Sequence, residues 1–214
     1  LIEDDGVFAL FAVVGTSANL AIRDLTNTAK VPVVFAAANA TTLGRDYRKY
    51  PYTIGYAPPN TEEGAVYGRH VLATSPKAKV AVLYAADDDG ADLLAGLRKG
   101  LGAPNAKRIV DAVPFDPAVD DVQAAVAQLK AAGANTLALF VRADAATQAA
   151  AAAAKLRWRP QLYLASAAAS STRPVPQNAI TAVVVRDPST QKWANDPGGR
   201  RFAANNRSIP PVVE

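Results

Sequence analysis

The 214-residue chain contains no cysteine, no methionine and a single histidine. Without cysteine it can form neither a disulfide nor a thiolate nucleophile nor a thiolate metal site. The one histidine, His70, falls in the middle of a predicted helix, and no G-x-S-x-G motif surrounds any serine, so a Ser-His-Asp triad is not supported. We therefore predict no catalytic residue, no metal site and no cofactor.

Long apolar runs are missing as well. No stretch approaches 18 uninterrupted apolar residues, so the sequence predicts no membrane-spanning helix. The apolar segment 7–14 has the length of a strand, and acidic rather than basic residues precede it, unlike a signal peptide. We expect any export signal to lie outside this chain.

Basic residues are scattered along the chain, although its net charge is +4. A nucleic-acid-binding protein usually concentrates its positive charge on one element and interleaves aromatic residues. The sequence therefore argues against nucleic acid as a partner. Half of the residues are hydrophobic, which is typical of a chain that folds around a packed core.

Short apolar runs alternate with segments of helical periodicity. The predicted strands are 7–15, 31–37, 52–56, 79–85, 108–114, 135–141, 161–165 and 179–185. From residue 79 onward their spacing is that of a β-α repeat, and the runs are apolar throughout rather than alternating. Both features predict an α/β fold with a doubly wound parallel sheet covered by helices on both faces.

Helical periodicity is clear in three places, one of which is the set Val122, Ala125, Val126 and Leu129. Apolar residues line one face of the first predicted helix, at Ala18, Ile22, Leu25 and Ala29. A second helix is predicted from 90 to 102, and Gly100 and Gly102 are expected to help end it. A short helix is also predicted around 197–206.

The segment Ala57-Pro-Pro-Asn60 divides the chain. Two prolines after a strand form a stiff joint, and the residues from Asn60 to Glu63 can cap the helix that follows. The first 56 residues hold three strands but only one convincing helix, so we expect the first lobe to be incomplete here. The predicted division is part of a first lobe at 1–57, a second lobe at 58–185, and a return segment towards the first lobe at 186–214.

In doubly wound sheets, ligands bind in the loops that follow the strands. Gly15-Thr16-Ser17 opens a helix whose N–H groups can hold a carboxylate or phosphate, or Ser17 only caps that helix. Neither a P-loop lysine nor a G-x-G-x-x-G motif occurs, so nucleotide binding is not supported. Arg142 follows a strand and either pairs with a ligand carboxylate or is simply exposed.

Three consecutive aspartates, Asp87 to Asp89, follow the strand at 79–85. They suggest a divalent metal or a phosphoacceptor, but a metal site needs oxygen ligands from more than one segment. Acidic residues at the start of a helix are also favoured by its dipole, which is the interpretation we prefer. An α/β enzyme that uses this cluster is the one catalytic alternative.

Several stretches carry a resemblance to a known family. They are the strand 7–15, Lys49-Tyr-Pro-Tyr-Thr-Ile-Gly55, the β-α unit at 80–102, and Asp187-Pro188 followed by Trp193-Ala-Asn-Asp-Pro-Gly198. In this order they resemble the type I periplasmic binding proteins of the leucine/isoleucine/valine-binding family. The resemblance implies two Rossmann-like doubly wound lobes that close on a solute about a hinge.

The function implied by this resemblance is the extracytoplasmic solute-binding component of an ABC transporter. Its expected partners are a small amino acid or carboxylate and the transporter's membrane permease. The expected location is periplasmic or extracellular, either free or lipid-anchored, and the expected state is a monomer. A ligand-sensing module of the same fold, serving a receptor or regulator, is the alternative.

The resemblance also implies site residues. Amino acid binders of the family hold the ligand carboxylate with hydroxyl and backbone groups of the first two loops, which correspond here to Thr16, Ser17 and Thr41, with Asn39 nearby. The family pairs the ligand ammonium with an acidic residue beyond the strand at 161–165, where this chain has Ser166.

Two further positions depart from the family, since Asp89 and Arg142 stand where aromatic residues are common. A pocket of threonine, serine and arginine suits a carboxylate. Asp89 could still supply a contact for an ammonium group.

Overall fold

The structure, a computed structural model, describes residues 1–169, 176, 178–184 and 195–205. Its strands are β1 (Leu10–Phe11), β2 (Val33–Ala36), β3 (Thr53–Gly55), β4 (Val80–Ala85), β5 (Ile109–Phe115), β6 (Thr136–Phe140), β7 (Gln161–Leu164) and β8 (Ile180–Thr181). Its α-helices are α1 (Ile2–Asp5), α2 (Thr16–Thr28), α3 (Thr42–Arg45), α4 (Asn60–Thr74), α5 (Asp88–Leu101), α6 (Val122–Ala131), α7 (Ala143–Lys155) and α8 (Pro197–Asn205). Strands and helices alternate, so the predicted α/β class is confirmed.

The strands form two parallel sheets. The first has the order β1-β2-β3 and the second the order β5-β4-β6-β7-β8. In the second sheet the chain moves outward from β4 to β5 and then returns to the other side of β4. The strand order therefore reverses between β4 and β6, which is the topological switch point of a doubly wound sheet.

Both faces of the second sheet are covered by helices. Alternate residues of a strand point to opposite faces. Ala81 and Leu83 pack in a cluster with α6 and α7, whereas Val80 and Val82 pack in a cluster with α4 and α5. All four are buried, which explains why this strand is apolar at every position.

Helices α4 and α5 make close contact through glycines. A Cβ at Gly64 would stand 2.2 Å from the carbonyl oxygen of Leu93, and a Cβ at Gly96 would stand 2.2 Å from that of Thr61. Gly68 and Gly100, one turn further along each helix, repeat the arrangement. Only glycine leaves room for two backbones at this separation.

The role predicted for Gly100 was therefore wrong, because it lies inside this helix contact. Helix α5 continues to Leu101 and ends at Gly102, whose φ of 71° lies in the positive region that glycine adopts readily.

The first sheet is smaller, and β1 spans only two residues of the predicted strand 7–15. A single further bridge joins Val14 to Ala37. One side of the sheet is packed, with Val33 and Ala36 buried in a cluster that Leu43 completes. Loops that follow strands of this sheet contact α5, through Thr16 to Asp89 and Thr41 to Asp92.

The C-terminal part of the chain is described only in places. Helix α8 lies where a short helix was predicted around 197–206, within the described residues. Residues 186–194 and 206–214 of the predicted return segment lie outside the described residues, as do the end of the predicted strand 179–185 and most of the family-like stretch at 187–198. Among the described helices, none combines the length and apolar character that crossing a bilayer requires.

Candidate functional site

Loops from both sheets meet at one cleft of about 360 Å³. Each contributing loop follows the carboxyl end of a strand, namely β1 and β2 of the first sheet and β4, β6 and β7 of the second. The cleft therefore includes the switch point between β4 and β6, where doubly wound sheets bind their ligands. Of the residues predicted for the site, it is lined by Thr16, Asn39, Asp89, Arg142 and Ser166.

Ser17 and Thr41 do not line this cleft. Ser17 is exposed on the first turn of α2, and the N-cap position of that helix is Gly15. Thr41 contacts the second lobe elsewhere: its N–H donates to Asp92 Oδ2 at 2.8 Å and its hydroxyl donates to Thr61 Oγ1 at 3.1 Å. Thr41 thus joins the two parts of the chain beside the cleft.

Thr16 and Asp89 form a hydrogen bond across the cleft. Thr16 Oγ1 donates to Asp89 Oδ1 at 2.8 Å, and Asn60 Nδ2 donates to the same oxygen at 2.8 Å. Burial raises the pKa of Asp89, the Thr16 hydrogen bond opposes this rise, and the nearby carboxylates of Asp87 and Asp92 add to it. The hydroxyl predicted to hold a ligand carboxylate is thus bonded to a carboxylate of the protein itself.

Glu63 lines the cleft and was not among the predicted site residues. Its Oε1 accepts a hydrogen bond from the Ser166 N–H at 2.7 Å, and its Oε2 accepts one from the Ser166 hydroxyl at 2.6 Å. Ser166 is the position where the family places an acidic residue. Here the chain brings the carboxylate of Glu63 to that position from another element.

The Tyr67 hydroxyl helps to fix Glu63. It lies 2.9 Å from Glu63 Oε1 and 2.6 Å from the Leu164 carbonyl oxygen, and it accepts a hydrogen bond from the Ala182 N–H at 3.0 Å. Burial, followed by the charge of Glu63, raises the pKa of Tyr67, so the phenol keeps its proton and can donate to one of these two oxygens.

Asn60 and Glu63 were expected to cap α4, and that expectation was wrong. The N-cap residue is Pro59, and no side chain makes the capping hydrogen bond. Because the two residues are three positions apart on one helix, they share a face, and that face lines the cleft. Their position directly after the Pro-Pro joint, where the chain passes between the sheets, is the signal that could have identified them.

The three consecutive aspartates, Asp87 to Asp89, have different roles in the structure. Asp87 is the N-cap residue of α5 and accepts a hydrogen bond from the Gly90 N–H at 2.9 Å, as expected of an acidic residue at a helix start. Asp88 is exposed and lies outside the cleft lining. Across the described part of the chain, no group of three or more acidic or histidine side chains converges in a way that could hold a metal ion.

Arg142 is exposed at the N-cap position of α7 while it also lines the cleft. Beside it, buried Leu93, Phe140 and Val141 form an apolar wall. The cleft thus combines charged side chains of both signs with an apolar surface, as small-molecule sites commonly do.

A family model matches residues 1–209 of this chain, and the family is described as periplasmic binding protein. This chain belongs to the periplasmic binding protein family. A comparison with curated proteins gives no match.

Solved structures share the fold of this periplasmic binding protein. A possible leucine/isoleucine/valine-binding protein from Rhodopirellula baltica SH 1 matches with a TM-score of 0.74 at 18% identity, over 100% of this chain and 58% of that one. A solute-binding protein of an ABC transporter from Rhodopseudomonas palustris BisB5, in complex with 3,4-dihydroxybenzoic acid, matches with a TM-score of 0.64 at 21% identity, over 78% and 46%.

A leucine-binding protein from Thermotoga maritima MSB8 matches with a TM-score of 0.64 at 17% identity, over 78% of this chain and 47% of that one. At such identities the likeness shows the fold. The chain spans about half of the length of these structures. The predicted resemblance to the type I leucine/isoleucine/valine-binding proteins is confirmed, together with the incomplete first lobe.

Proposed function

We propose that this periplasmic binding protein is the solute-binding component of an ABC transporter, and that it captures a small amino acid or organic acid in the cleft between its sheets. The observation that carries the proposal is that loops of both sheets line one cleft, with Thr16 and Asp89 bonded across it. Two lobes joined by a hinge can admit a solute when open and enclose it when closed. A membrane permease would recognise the closed form.

The joint at residues 57–60 suits a hinge between the proposed lobes 1–57 and 58–185. The Asn60 N–H donates to the Asn39 carbonyl oxygen at 2.8 Å, and Asn39 Nδ2 donates to the Pro58 carbonyl oxygen at 3.3 Å. These bonds hold the joint against a loop of the first sheet that also lines the cleft. Movement at the joint would therefore move the cleft lining with it.

Similar structures support this role. One of them is described as a solute-binding protein of an ABC transporter with an aromatic acid bound, and another as a leucine-binding protein. We place this chain, like its family, outside the cytoplasm.

A thermal-shift screen tests the proposal. The full-length protein is melted with amino acids, aromatic acids, dicarboxylates, amides and amines. A solute that binds only the native state stabilises it by about 2.7 kcal/mol at a hundred times its Kd, so a true ligand raises the melting temperature. The solute should also be recovered unchanged, since the proposed role involves no turnover.

A matched pair of variants locates the binding site. Val14 lines the cleft and is 76% exposed, whereas Val119 is 80% exposed and lies outside the cleft lining. Val14→Trp should fill the cleft and abolish the thermal shift, and Val119→Trp should preserve it. The proposal fails if no solute of any class shifts the melting temperature, or if Val14→Trp leaves the shift intact.

A further inference from the structure

Basic residues that are scattered in the sequence gather at one edge of the second sheet. The segments that lead into β4, β5, β6 and β7 are 75–79, 102–108, 130–135 and 155–160, and they contain no acidic residue. Because the four strands are parallel, these segments all lie at the amino edge of the sheet. They contain eight basic residues, namely Lys77, Lys79, Lys107, Arg108, Lys130, Lys155, Arg157 and Arg159.

The opposite edge of the same sheet carries the opposite charge. The segments that follow the four strands are 86–92, 116–121, 141–144 and 165–169, and they hold eight acidic residues and a single basic one, Arg142. This carboxyl edge contributes to the solute cleft. The second lobe is therefore polarised along its strands, with the positive end away from the cleft.

Helix dipoles account for only part of this separation. They favour acidic residues at the start of a helix and basic residues at its end. Of the eight basic residues, Lys130 and Lys155 lie in the last turn of α6 and α7. The other six lie in the connections between a helix and the next strand, where the dipoles of the α-helices leave them unexplained.

The charges of the amino edge are available to a partner. All eight side chains except that of Arg108 belong to exposed residues, and within the described part of the chain none of the eight forms an ion pair. The acidic residue nearest to them in sequence is Asp111 inside β5, which accepts a hydrogen bond from Gln128 Nε2 at 3.1 Å.

Hydrogen bonds hold three of the basic segments side by side. Arg108 donates to the Pro76 carbonyl oxygen, which joins the segment before β5 to the one before β4. The Lys79 N–H donates to Asn135 Oδ1 at 2.9 Å, which joins the segment before β4 to the one before β6. Neighbouring strands lie about 4.8 Å apart, so the edge from β5 to β7 is about 14 Å across without its helices. The positive charge thus covers a broad surface.

This surface offers charge without apolar contacts. Trp158 is the one aromatic residue of the four segments; its Nε1 donates to the Ala134 carbonyl oxygen at 3.0 Å and its side chain packs against the core. None of the exposed large apolar residues of the described chain lies in these segments. Single-stranded nucleic acids stack on exposed aromatic rings, and protein interfaces have a largely apolar centre. Neither class of partner fits this edge well.

We propose that the amino edge of the second sheet, formed by the four basic segments, adsorbs to the anionic surface of a phospholipid bilayer. A layer of lipid headgroups supplies a wide field of negative charge and attracts clustered lysine and arginine without apolar insertion. The acidic edge would be repelled by the same field, so the adsorbed protein would present its cleft to the solution. The inference goes beyond the proposed function and does not depend on which solute binds.

Vesicle sedimentation with the full-length protein tests the inference. Vesicles of equal parts phosphatidylglycerol and phosphatidylcholine should bind the protein about tenfold or more tightly than vesicles of phosphatidylcholine alone. Binding to the anionic vesicles should weaken as salt is added, because the field of the headgroups reaches only about 8 Å at physiological ionic strength.

Two pairs of substitutions test whether the whole edge takes part. Lys77→Gln with Lys79→Gln removes two charges before β4, and Arg157→Gln with Arg159→Gln removes two before β7. A basic residue close to an anionic bilayer contributes about fivefold to the partition coefficient, so each pair should weaken binding by about tenfold or more.

A third pair is the control for net charge. Lys30→Gln with Arg48→Gln removes two charges beside the first sheet, outside the amino edge of the second, and should change vesicle binding by less than about twofold. The residues of all three pairs are exposed, so the melting temperature of each double variant should match that of the unchanged protein.

Several outcomes would overturn the inference while the proposed solute capture stands. They are equal binding to neutral vesicles, no binding to anionic vesicles, and a control pair that weakens binding as much as the edge pairs. A loss confined to one of the two edge pairs would replace the broad surface by a single site and would overturn it too. Binding of polyglutamate without binding of the vesicles would overturn it in favour of an acidic protein partner.

Discussion

The two sheets of this protein have strands of similar apolar character, but they are covered to different extents. In the second sheet, helices bury both faces, and Leu139 at the centre of β6 is 0% exposed. In the first sheet, one face packs on Leu43 and its neighbours, whereas Phe11 and Phe35 on the strands are 72% and 48% exposed. Their rings meet edge to face with centroids 5.8 Å apart.

This difference shows what an apolar strand does and does not determine. A run of apolar residues indicates that a strand is suited to burial on both faces. Whether those residues are buried depends on the helices that pack on the sheet, and these helices can be distant in sequence. The apolar area that they remove from water supplies most of the stabilising free energy. The two sheets should therefore respond differently to the loss of an apolar side chain.

Truncation of a strand residue in each sheet should show the largest contrast. Leu139→Ala removes a fully buried side chain and should lower the free energy of unfolding by about 3 kcal/mol, within the range of 2 to 5 found for such sites. Phe11→Ala should cost about 1 kcal/mol or less, because it loses mainly the contact with Phe35. Urea unfolding of both variants measures this, and equal losses would contradict the comparison.

The glycine contact between α4 and α5 should show the next largest effect. Gly96→Ala would place a methyl group 2.2 Å from the Thr61 carbonyl oxygen, so the helices must separate, at a cost of about 2 kcal/mol. In the first-sheet region, Gly44 in α3 has no atom within 4 Å of a Cβ placed there. Gly44→Ala should therefore stabilise by up to about 1 kcal/mol through helix propensity.

The melting temperatures of these two glycine variants should thus move in opposite directions. If both variants were destabilised to the same extent, the cost would come from the helical backbone in general. The close approach of α4 and α5 would then not be its cause.

Much of the fold could be predicted from the sequence, because the second lobe repeats a regular β-α unit. The face of α2 shows the limit of such patterns. Leu25 and Ala29 of its apolar face are exposed, whereas Asn19 and Thr26 are buried. Asn19 Nδ2 donates to the carbonyl oxygens of Val13 and Gly15, so a polar side chain packs where the helix meets its preceding loop. Periodicity finds the apolar face but cannot identify what covers it.

The candidate site could be predicted in position but not in composition. The rule that ligand loops follow parallel strands led to five loops that do line one cleft. It could not place Glu63, because this residue comes from a helix and reaches Ser166 across 103 positions of sequence. It also could not show that Thr16 bonds to Asp89, since the distance between two loops of different lobes depends on the whole fold.

The smallest expected effects are changes of stability with pH, and they have opposite signs at Asp89 in the cleft and at Asp46 beside the first sheet. The pKa of Asp89 is raised chiefly by burial, so the folded state binds its proton more tightly than the unfolded state. Its contribution to stability is therefore greatest below the unfolded pKa of about 3.9 and is lost as pH rises through the folded value. Asp89→Asn removes this dependence, so the variant should gain stability relative to the unchanged protein as pH rises from the unfolded value of about 3.9 through the raised folded value.

Asp46 in the first lobe is the matched control with the opposite sign. Hydrogen bonds from Arg45 and then Thr42 lower its pKa to about 2, so its contribution is present above the unfolded value and is lost as pH falls through about 2. Asp46→Asn should therefore be less stable than the unchanged protein near neutral pH and should approach it in acid. Urea unfolding of both variants and of the unchanged protein, without ligand and from neutral pH into acid, measures the two differences in the free energy of unfolding. A constant offset for Asp89→Asn would mean that the hydrogen bonds from Thr16 and Asn60 fully offset the burial of Asp89, so that its pKa is the same in the folded and unfolded states.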